Sequence, residues 1–360
     1  MVVKSRSFYI PLDGLRALCF LSVFFFHCNL EGFQLGWAGV SVFFTISGFL
    51  ITEILINSKY SGSYFKSFYI RRSLRIFPIY YLYIFFATVL FFAVKKHIPN
   101  DFLYYIFYAP NLLWINTNFI SDLQPLMAHL WTLAIEEQFY LIWPAVIYFI
   151  PLKWLSPSCL IFISVALLYR IFNIYWGGCF YCTSILLPSQ LDLLAFGGLL
   201  ACYKSDLIQN STIKFLIKIS WIIGLVGLLF IVLAIGINHG NVLKSYDFLK
   251  SPESYQQNIF TGQIFFFLAL IAVGLIKLCY ENRSFFARSI LSQPMLIRIG
   301  KLSYGLYLYH WPVIIIMNRF INNKYLATII SLILTYIIAL LSYNLIETYF
   351  NNLKNKFKYK

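Results

Sequence analysis

The stretch LDGLRALCFLSVFFFHCNL, Leu12 to Leu30, is long and apolar enough to cross a bilayer, yet it contains an aspartate, an arginine and a histidine. Ionisable groups inside a span are costly, so they indicate function by default. Arg16 and His27 are eleven residues apart, which puts both on one helical face, about 16 Å apart along the axis. Asp13 either pairs with Arg16 or caps the helix. The alternative is purely structural: an ion pair plus a histidine bonded to a neighbouring span.

The composition indicates a membrane protein with many spans. Of the 360 residues, 60% are hydrophobic and only 11% are charged, whereas soluble domains are nearer a quarter charged. The net charge of +15 would suggest a nucleic-acid partner in a soluble protein. Here it fits basic loops on the cytoplasmic side of a lipid bilayer, and no nucleic-acid partner is expected. A cleavable signal is excluded, because the first apolar run contains charge and lacks a small-residue cleavage site.

Apolar stretches of spanning length predict about ten transmembrane helices. They lie at roughly 12–30, 37–56, 76–94, 130–150, 158–176, 185–202, 219–237, 258–278, 302–320 and 326–346. The segment near 102–115 is too short to span and contains Pro110 and Asn111, so we predict a re-entrant or interfacial segment.

The distribution of basic residues predicts that both termini are cytoplasmic. With that orientation, most of the 28 Lys and Arg residues fall on the cytoplasmic side. We therefore predict an all-α membrane protein with one membrane-embedded domain, residues 1–350. Residues 351–360 are predicted to form a short basic cytoplasmic tail.

Several polar side chains recur inside or beside the predicted spans. Arg72 and Arg75 are one turn apart, and are either ordinary positive-inside charge or a clamp for phosphate oxygens. His129 and Glu136 are seven residues apart and share a helix face, and Glu137 points elsewhere. The remaining candidates are Asp192 in one span and the stripe Ser303, Tyr307 and His310 in another.

Small residues and cysteines carry weaker signals. Small residues in the second span favour close helix packing, and with it a groove beside the first span. They are Gly36, Gly39, Ser41, Ser47 and Gly48. Cys179 and Cys182 form a CxxC that is either a disulfide or two thiols. A single CxxC cannot complete a zinc site, so no metal is expected.

The ordered motifs resemble the acyltransferase-3 family of integral-membrane O-acyltransferases over essentially the whole chain. Arg16 and His27 match its pattern of a basic residue, ten residues and a histidine. GVSVFFTISGFLIT, Arg72-x-x-Arg75, WTLAIEEQFYL and LSYGLYLYHWPV match later blocks. Two departures concern substrate detail. Gln190 stands where the family usually has the arginine of Arg-x-Asp, and IETYF replaces the usual IEKPF.

The resemblance implies transfer of an acyl group, most often acetyl, from cytoplasmic acetyl-CoA to a hydroxyl of a cell-surface or lipid-linked carbohydrate. It implies that Arg72 and Arg75, with Arg16, hold the donor phosphates, and that His27 is the general base. Glu136, Glu137 and His310 are expected to support catalysis. Substrate-binding roles are expected for His129, Asp192, Ser303 and Tyr307. The expected location is a bacterial cytoplasmic membrane.

Two mechanisms and two further protein classes remain as alternatives. Direct attack by the acceptor on the thioester competes with an acyl-enzyme on Cys28, but adjacent helical residues point about 100° apart, which disfavours Cys28 beside His27. A secondary transporter for a sugar or acyl compound is the rival class, although no inverted repeat is visible. A scaffold or sensor without chemistry would be expected to lack His27 or the arginine pair.

Overall fold

The computed structural model describes residues 9–115, 122–177, 182–238, 262–357 and 359, and the regular structure in these ranges is helical. Ten helices in this part of the chain have at least 18 residues. They are α1 Ile10–His27, α2 Ala38–Ser58, α3 Tyr64–Lys95, α4 Trp131–Phe149, α5 Leu152–Phe172, α6 Leu187–Lys204, α7 Ser220–Asn238, α8 Ile264–Glu281, α9 Ser303–Phe320 and α10 Lys324–Ser342. The short helices are Phe102–Ile106, Pro110–Ile115, Gln124–Met127, Ala128–Leu130, Asn173–Gly177, Cys182–Ile185, Ser211–Lys218, Phe286–Ile290, Pro294–Lys301, Tyr343–Glu347 and Thr348–Lys354.

The chain is a multi-pass membrane protein, and each predicted span corresponds to one long helix. Among the described residues, seven helices are long and apolar enough to cross a membrane, or up to eight if Ser211–Lys218 and Ser220–Ala234, bent by 63°, form one span. Helices α4 and α9 do not qualify, because tyrosines, tryptophans and polar site residues lower their hydropathy. The exact number of ten and the cytoplasmic position of both termini therefore stay predictions.

Several helix ends are fixed by side chains that the sequence places there. Pro11 occupies the first turn of α1, where its missing N–H costs nothing. Asn323 caps α10, with its side-chain oxygen accepting from the Leu326 amide at 3.0 Å. Lys59, just after α2, donates to the carbonyls of Ile147 and Ile150 at 2.6 and 2.5 Å. A cation at those carbonyls satisfies the C-terminus of α4 and ties α2 to it.

The segment predicted as re-entrant or interfacial forms two short helices instead of a span. Between them Tyr108 has a φ of +51°, a left-handed conformation that breaks the helix. Asn111 and Gln138 exchange side-chain hydrogen bonds of 3.3 and 3.0 Å, which joins this segment to α4. Its backbone is therefore anchored on protein, as non-helical structure at membrane depth requires.

The core forms around α2, which packs on α1, α4 and α6. Gly48 of α2 and Gly197 of α6 face each other's backbone so closely that a Cβ on either would overlap main-chain atoms. Two small residues therefore permit this packing. On the outside, α3 and α7 expose large apolar side chains such as Phe86 and Phe230. In a membrane protein such surfaces face lipid.

Candidate functional site

Helix α1 connects two different environments. Arg16 lines a small polar cavity, and Tyr9, just before the helix, contacts Glu53 and Lys204 of a basic cleft. The His27 end lies at a cluster of imidazoles. Both side chains are partly exposed inside the helix bundle. Arg16 and His27, about 16 Å apart along the helix axis, therefore lie in two different polar environments.

His27 and His310 form a hydrogen-bonded pair. Their Nδ1 and Nε2 atoms, respectively, lie 2.8 Å apart. His310 Nδ1 lies 2.6 Å from the main-chain carbonyl oxygen of Tyr307. A carbonyl only accepts, so His310 Nδ1 carries a proton, and Nε2 of the neutral ring must accept from His27 Nδ1. Nε2 of a neutral His27 then carries a lone pair, and this nitrogen makes no hydrogen bond to a described residue.

A third imidazole, His129, lies beside this pair. Its ring centroid is 5.2 Å from that of His310, and it is 4% exposed. Its Nε2 is 3.1 Å from the Leu308 carbonyl oxygen and therefore donates. Its Nδ1 is a buried acceptor that has no hydrogen-bond partner among the described residues. An unsatisfied buried acceptor is unfavourable, which makes this nitrogen a place for a ligand O–H or N–H.

An indole and a thiol flank the imidazoles. The Trp311 ring meets His27 edge to face, with 4.7 Å between centroids, and its centroid is 6.4 Å from that of His129. Trp311 therefore contacts both rings that present lone pairs. Cys28, the alternative acyl carrier, is 7% exposed, and its side chain lies near Thr328 on α10. The thiol of Cys28 therefore faces α10, whereas the His27 ring faces His310 of α9.

Glu136 belongs to a separate hydrogen-bond network at the Arg16 end. Its Oε1 accepts from Ser47 at 2.7 Å, and its Oε2 accepts from Tyr140 at 3.2 Å. His129 and Glu136 are seven positions apart, which corresponds to about 10 Å of helical rise. The structure therefore brings His310, and not Glu136, to His27. Ser47 was notable in the sequence only as a small residue.

Arg16 and Glu136 line a cavity of about 60 Å³ together with Ser303 and Tyr307. Nε of Arg16 is buried and has no hydrogen-bond partner in the described structure. Tyr307 also accepts a hydrogen bond from Thr132 at 2.9 Å. Four of the predicted site residues thus meet at one narrow space between the cleft and the imidazoles.

Glu137 faces away from that cavity, as its position next to Glu136 predicts. Its Oε1 is buried without a hydrogen bond to any described residue. Arg72, Tyr108 and Tyr304 lie within electrostatic range of it. The structure therefore keeps Glu137 apart from His27 and near the arginine pair.

A cleft of about 1000 Å³ lies near the N-terminal end of α1, where Tyr9 contacts two of its lining residues, Glu53 and Lys204. Its lining includes five basic residues: Arg71, Arg72, Arg75, Lys204 and Lys354. Lys204 pairs with Glu53 and also contacts the Tyr9 hydroxyl. The guanidinium of Arg72 lies over the Tyr140 ring, 5.1 Å from its centroid. Cationic forks beside aromatic rings suit a ligand that carries phosphates.

Asp192 occupies a different environment from the other predicted substrate-binding residues. Its carboxylate is held by Arg170, with Nη2–Oδ2 and Nη1–Oδ1 distances of 2.5 and 3.1 Å, and both side chains are 0% exposed. Arg170 also donates to the Ser189 carbonyl. An arginine of α5 thus faces Asp192, although position 190 holds glutamine. These contacts give Asp192 a structural partner, and its predicted contact with substrate stays a prediction.

Only one cysteine of the CxxC motif lies in the described part of the chain. Cys182 is disulfide-bonded, and Cys179 lies outside the described residues. In the described ranges, no group of three or more His, Cys, Asp or Glu side chains is arranged to hold a metal ion.

Comparison with known proteins gives a consistent family match. Residues 9–344 match the profile of a family described as an acyltransferase domain. The chain is 31% identical over 369 residues to the O-acetyltransferase OatA of Staphylococcus aureus (strain NCTC 8325 / PS 47), covering 94% of this chain and 57% of that protein. It is 30% identical over 382 residues to the peptidoglycan O-acetyltransferase OatA of Listeria monocytogenes serovar 1/2a, covering 98% and 58%. The chain therefore spans little more than half the length of these curated relatives. No solved structure matches it.

Proposed function

Because the chain belongs to the acyltransferase-3 family of membrane acyltransferases, we propose that it moves an acetyl group from cytoplasmic acetyl-CoA to a hydroxyl of a cell-envelope carbohydrate. The names of its relatives support acetyl as the group and peptidoglycan as the acceptor class. The observation that carries the proposal is the His27–His310–Tyr307 relay, at the opposite end of α1 from a basic cleft.

The cleft is the proposed donor entrance. Arg72 and Arg75 bind the phosphates of acetyl-CoA there, on the cytoplasmic side. The uncharged arm of the donor passes the cavity at Arg16 and Glu136, and its thioester reaches His27. An extended arm suits this path, because the two ends of the α1 stripe are about 16 Å apart.

His27 is the proposed general base. Its Nε2 takes the proton of the acceptor hydroxyl while the hydroxyl oxygen attacks the thioester carbonyl carbon. The new C–O bond forms the acetyl ester, the C–S bond breaks, and the CoA thiolate takes the proton back from His27. His310 stabilises the transient imidazolium, because its Nε2 accepts the hydrogen bond from His27 Nδ1.

His129 is the proposed recognition residue for the acceptor. Its Nδ1 and the His27 Nε2 are both acceptors, so together they fit a ligand with two O–H or N–H donors. A sugar with a second hydroxyl or an acetamido group near the reacting hydroxyl has this pattern. Ser303 and Tyr307, which line the cavity next to this cluster, contact the substrate between donor and acceptor sites.

The test uses membrane vesicles given acetyl-CoA labelled in the acetyl group. His27→Ala is expected to abolish label transfer to carbohydrate, because no base remains at the thioester, with the protein level unchanged. His97→Ala is the matched control, since the His97 side chain is 53% exposed and pairs with Asp122 in a connecting segment. Wild-type transfer by His27→Ala would contradict the assignment. Uptake of label without transfer would favour a carrier.

A further inference from the structure

The C-terminal segment, described at 354–357 and at Tyr359, contributes Lys354 and Tyr359 to the lining of the basic cleft. Arg71 Nη1 donates to the main-chain carbonyls of Lys354 and Phe357, at 3.2 and 3.0 Å. Its guanidinium carbon lies 5.8 Å from the centroid of the Tyr359 ring. Lys354 ends a short helix, so its carbonyl is one of the groups that helices leave unsatisfied. Arg71 thus binds this segment at the cleft, whereas the sequence predicts it only as a basic tail.

This anchoring divides the three neighbouring arginines by task. Arg71 donates hydrogen bonds to main-chain carbonyls of the C-terminal segment. Arg72 lies over the rings of Tyr140 and Phe68, and Arg75 lines the cleft. Arg72 and Arg75 make no hydrogen bond to a described residue, so their N–H groups remain available to a ligand in the cleft. The anchoring also brings Tyr359 into the cleft lining.

The dimensions of the two spaces decide which part of a donor stays in the cleft. The inner cavity of about 60 Å³ admits a thin chain, whereas the cleft of about 1000 Å³ has room for a purine and its phosphates. A nucleotide needs cations for its phosphates and a flat apolar surface for its base. Both are present on the cleft wall, in Arg72, Arg75 and the Tyr359 ring.

We propose that Tyr359, held in place by Arg71, is the stacking platform for the adenine ring of the acyl-CoA donor. This inference rests on the proposed function. It assigns the nucleotide end of the donor to the C-terminal segment, and the phosphates to Arg72 and Arg75. Stacking between a base and an aromatic side chain typically changes affinity by about 5- to 150-fold on removal of the side chain.

The experiment compares two donors on the purified protein in lipid nanodiscs. Acetyl-CoA carries the nucleotide, and S-acetyl-4′-phosphopantetheine lacks it. Tyr359→Ala is expected to raise KM for acetyl-CoA about 5- to 150-fold with kcat unchanged, and to leave KM for the truncated donor unchanged. Tyr359→Phe keeps the ring and is expected to match the wild type. Tyr349→Ala is the control, because this tyrosine of the short helix Thr348–Lys354 is 67% exposed and outside the cleft lining.

Two results would overturn the inference. One is an unchanged KM for acetyl-CoA in Tyr359→Ala, and the other is an equal rise for both donors, which would mean that the ring only shapes the cleft. Calorimetric binding of CoA and of 4′-phosphopantetheine separates this proposal from the proposed function. If the wild type transfers no acetyl group, the function fails, but a selective loss of CoA binding in Tyr359→Ala still supports the platform. Absence of CoA binding by the wild type refutes it.

Discussion

Replacing His310 by asparagine tests the relay at its most specific bond. The amide nitrogen of asparagine takes roughly the position of His310 Nδ1, so it retains a donor for the Tyr307 carbonyl. No atom remains at the position of Nε2, which accepts the 2.8 Å bond from His27. The substitution therefore removes one bond to the proposed base and leaves the base itself in place.

The expected loss follows from the charge that develops on His27. When its Nε2 takes a proton, the Nδ1–H bond to His310 becomes a hydrogen bond from a charged donor. Such bonds contribute about 1.5–3 kcal/mol, which corresponds to about a 10- to 150-fold decrease in kcat. KM for acetyl-CoA should stay unchanged, because His310 lies at the other end of α1 from the cleft.

Glutamine at the same position gives the matched comparison. Its side chain reaches the former Nε2 position and offers an oxygen that accepts from His27 Nδ1, so His310→Gln should retain more activity than His310→Asn. The assay is initial-rate acetyl transfer by purified protein in nanodiscs, with thermal unfolding followed in parallel. Equal kcat for the wild type and a folded His310→Asn would refute the relay. A higher rate for asparagine than for glutamine would refute the assigned tautomers.

Two further substitutions test the support of the site. Arg170→Met leaves the buried Asp192 carboxylate without its partner, so we expect about 3–5 kcal/mol of destabilisation, seen as a lower unfolding temperature. The double variant Arg170→Met, Asp192→Leu should recover much of the lost stability. Equal destabilisation of the single and double variants would argue against an uncompensated charge as the cause. Gly300→Ala places a Cβ against the Asp13 carbonyl. It should cost about 1–3 kcal/mol in the same assay, whereas Gly62→Ala, with open space around its Cβ, should be neutral.

The helical stripe and the polar positions were predictable because they depend on local spacing. Periodicity alone puts Arg16 and His27 on one face of α1, and the ten apolar stretches match ten long helices. The number of membrane crossings was not determined in this way. Polar and aromatic site residues lower the hydropathy by which spans are recognised, and α4, around Glu136, is not among the seven recognised spans.

The partners of these residues were not predictable, because they come from distant parts of the chain. His27 and His310 are 283 positions apart, and no local spacing links them. Arg170 and Asp192 belong to neighbouring helices, so a pattern written along one helix does not reveal the pair. One signal was present, since an arginine within a span normally needs a buried partner. Nothing in the sequence indicated that Arg71, next to Arg72 in a basic run, would bind main-chain carbonyls near the C-terminus.

The proposed phosphate site and the proposed base lie at opposite ends of α1, and this separation explains how a highly charged donor can react inside a membrane. In the proposed reaction, the phosphates stop at Arg72 and Arg75, where the cleft is wide and basic. Only the uncharged arm enters the narrow cavity, so no phosphate loses its solvation in the membrane interior. At the far end, the hydrogen bonds of His27, His310 and His129 are compatible with three neutral imidazoles. In the proposed reaction a charge develops there during proton transfer, where His310 is positioned to stabilise it.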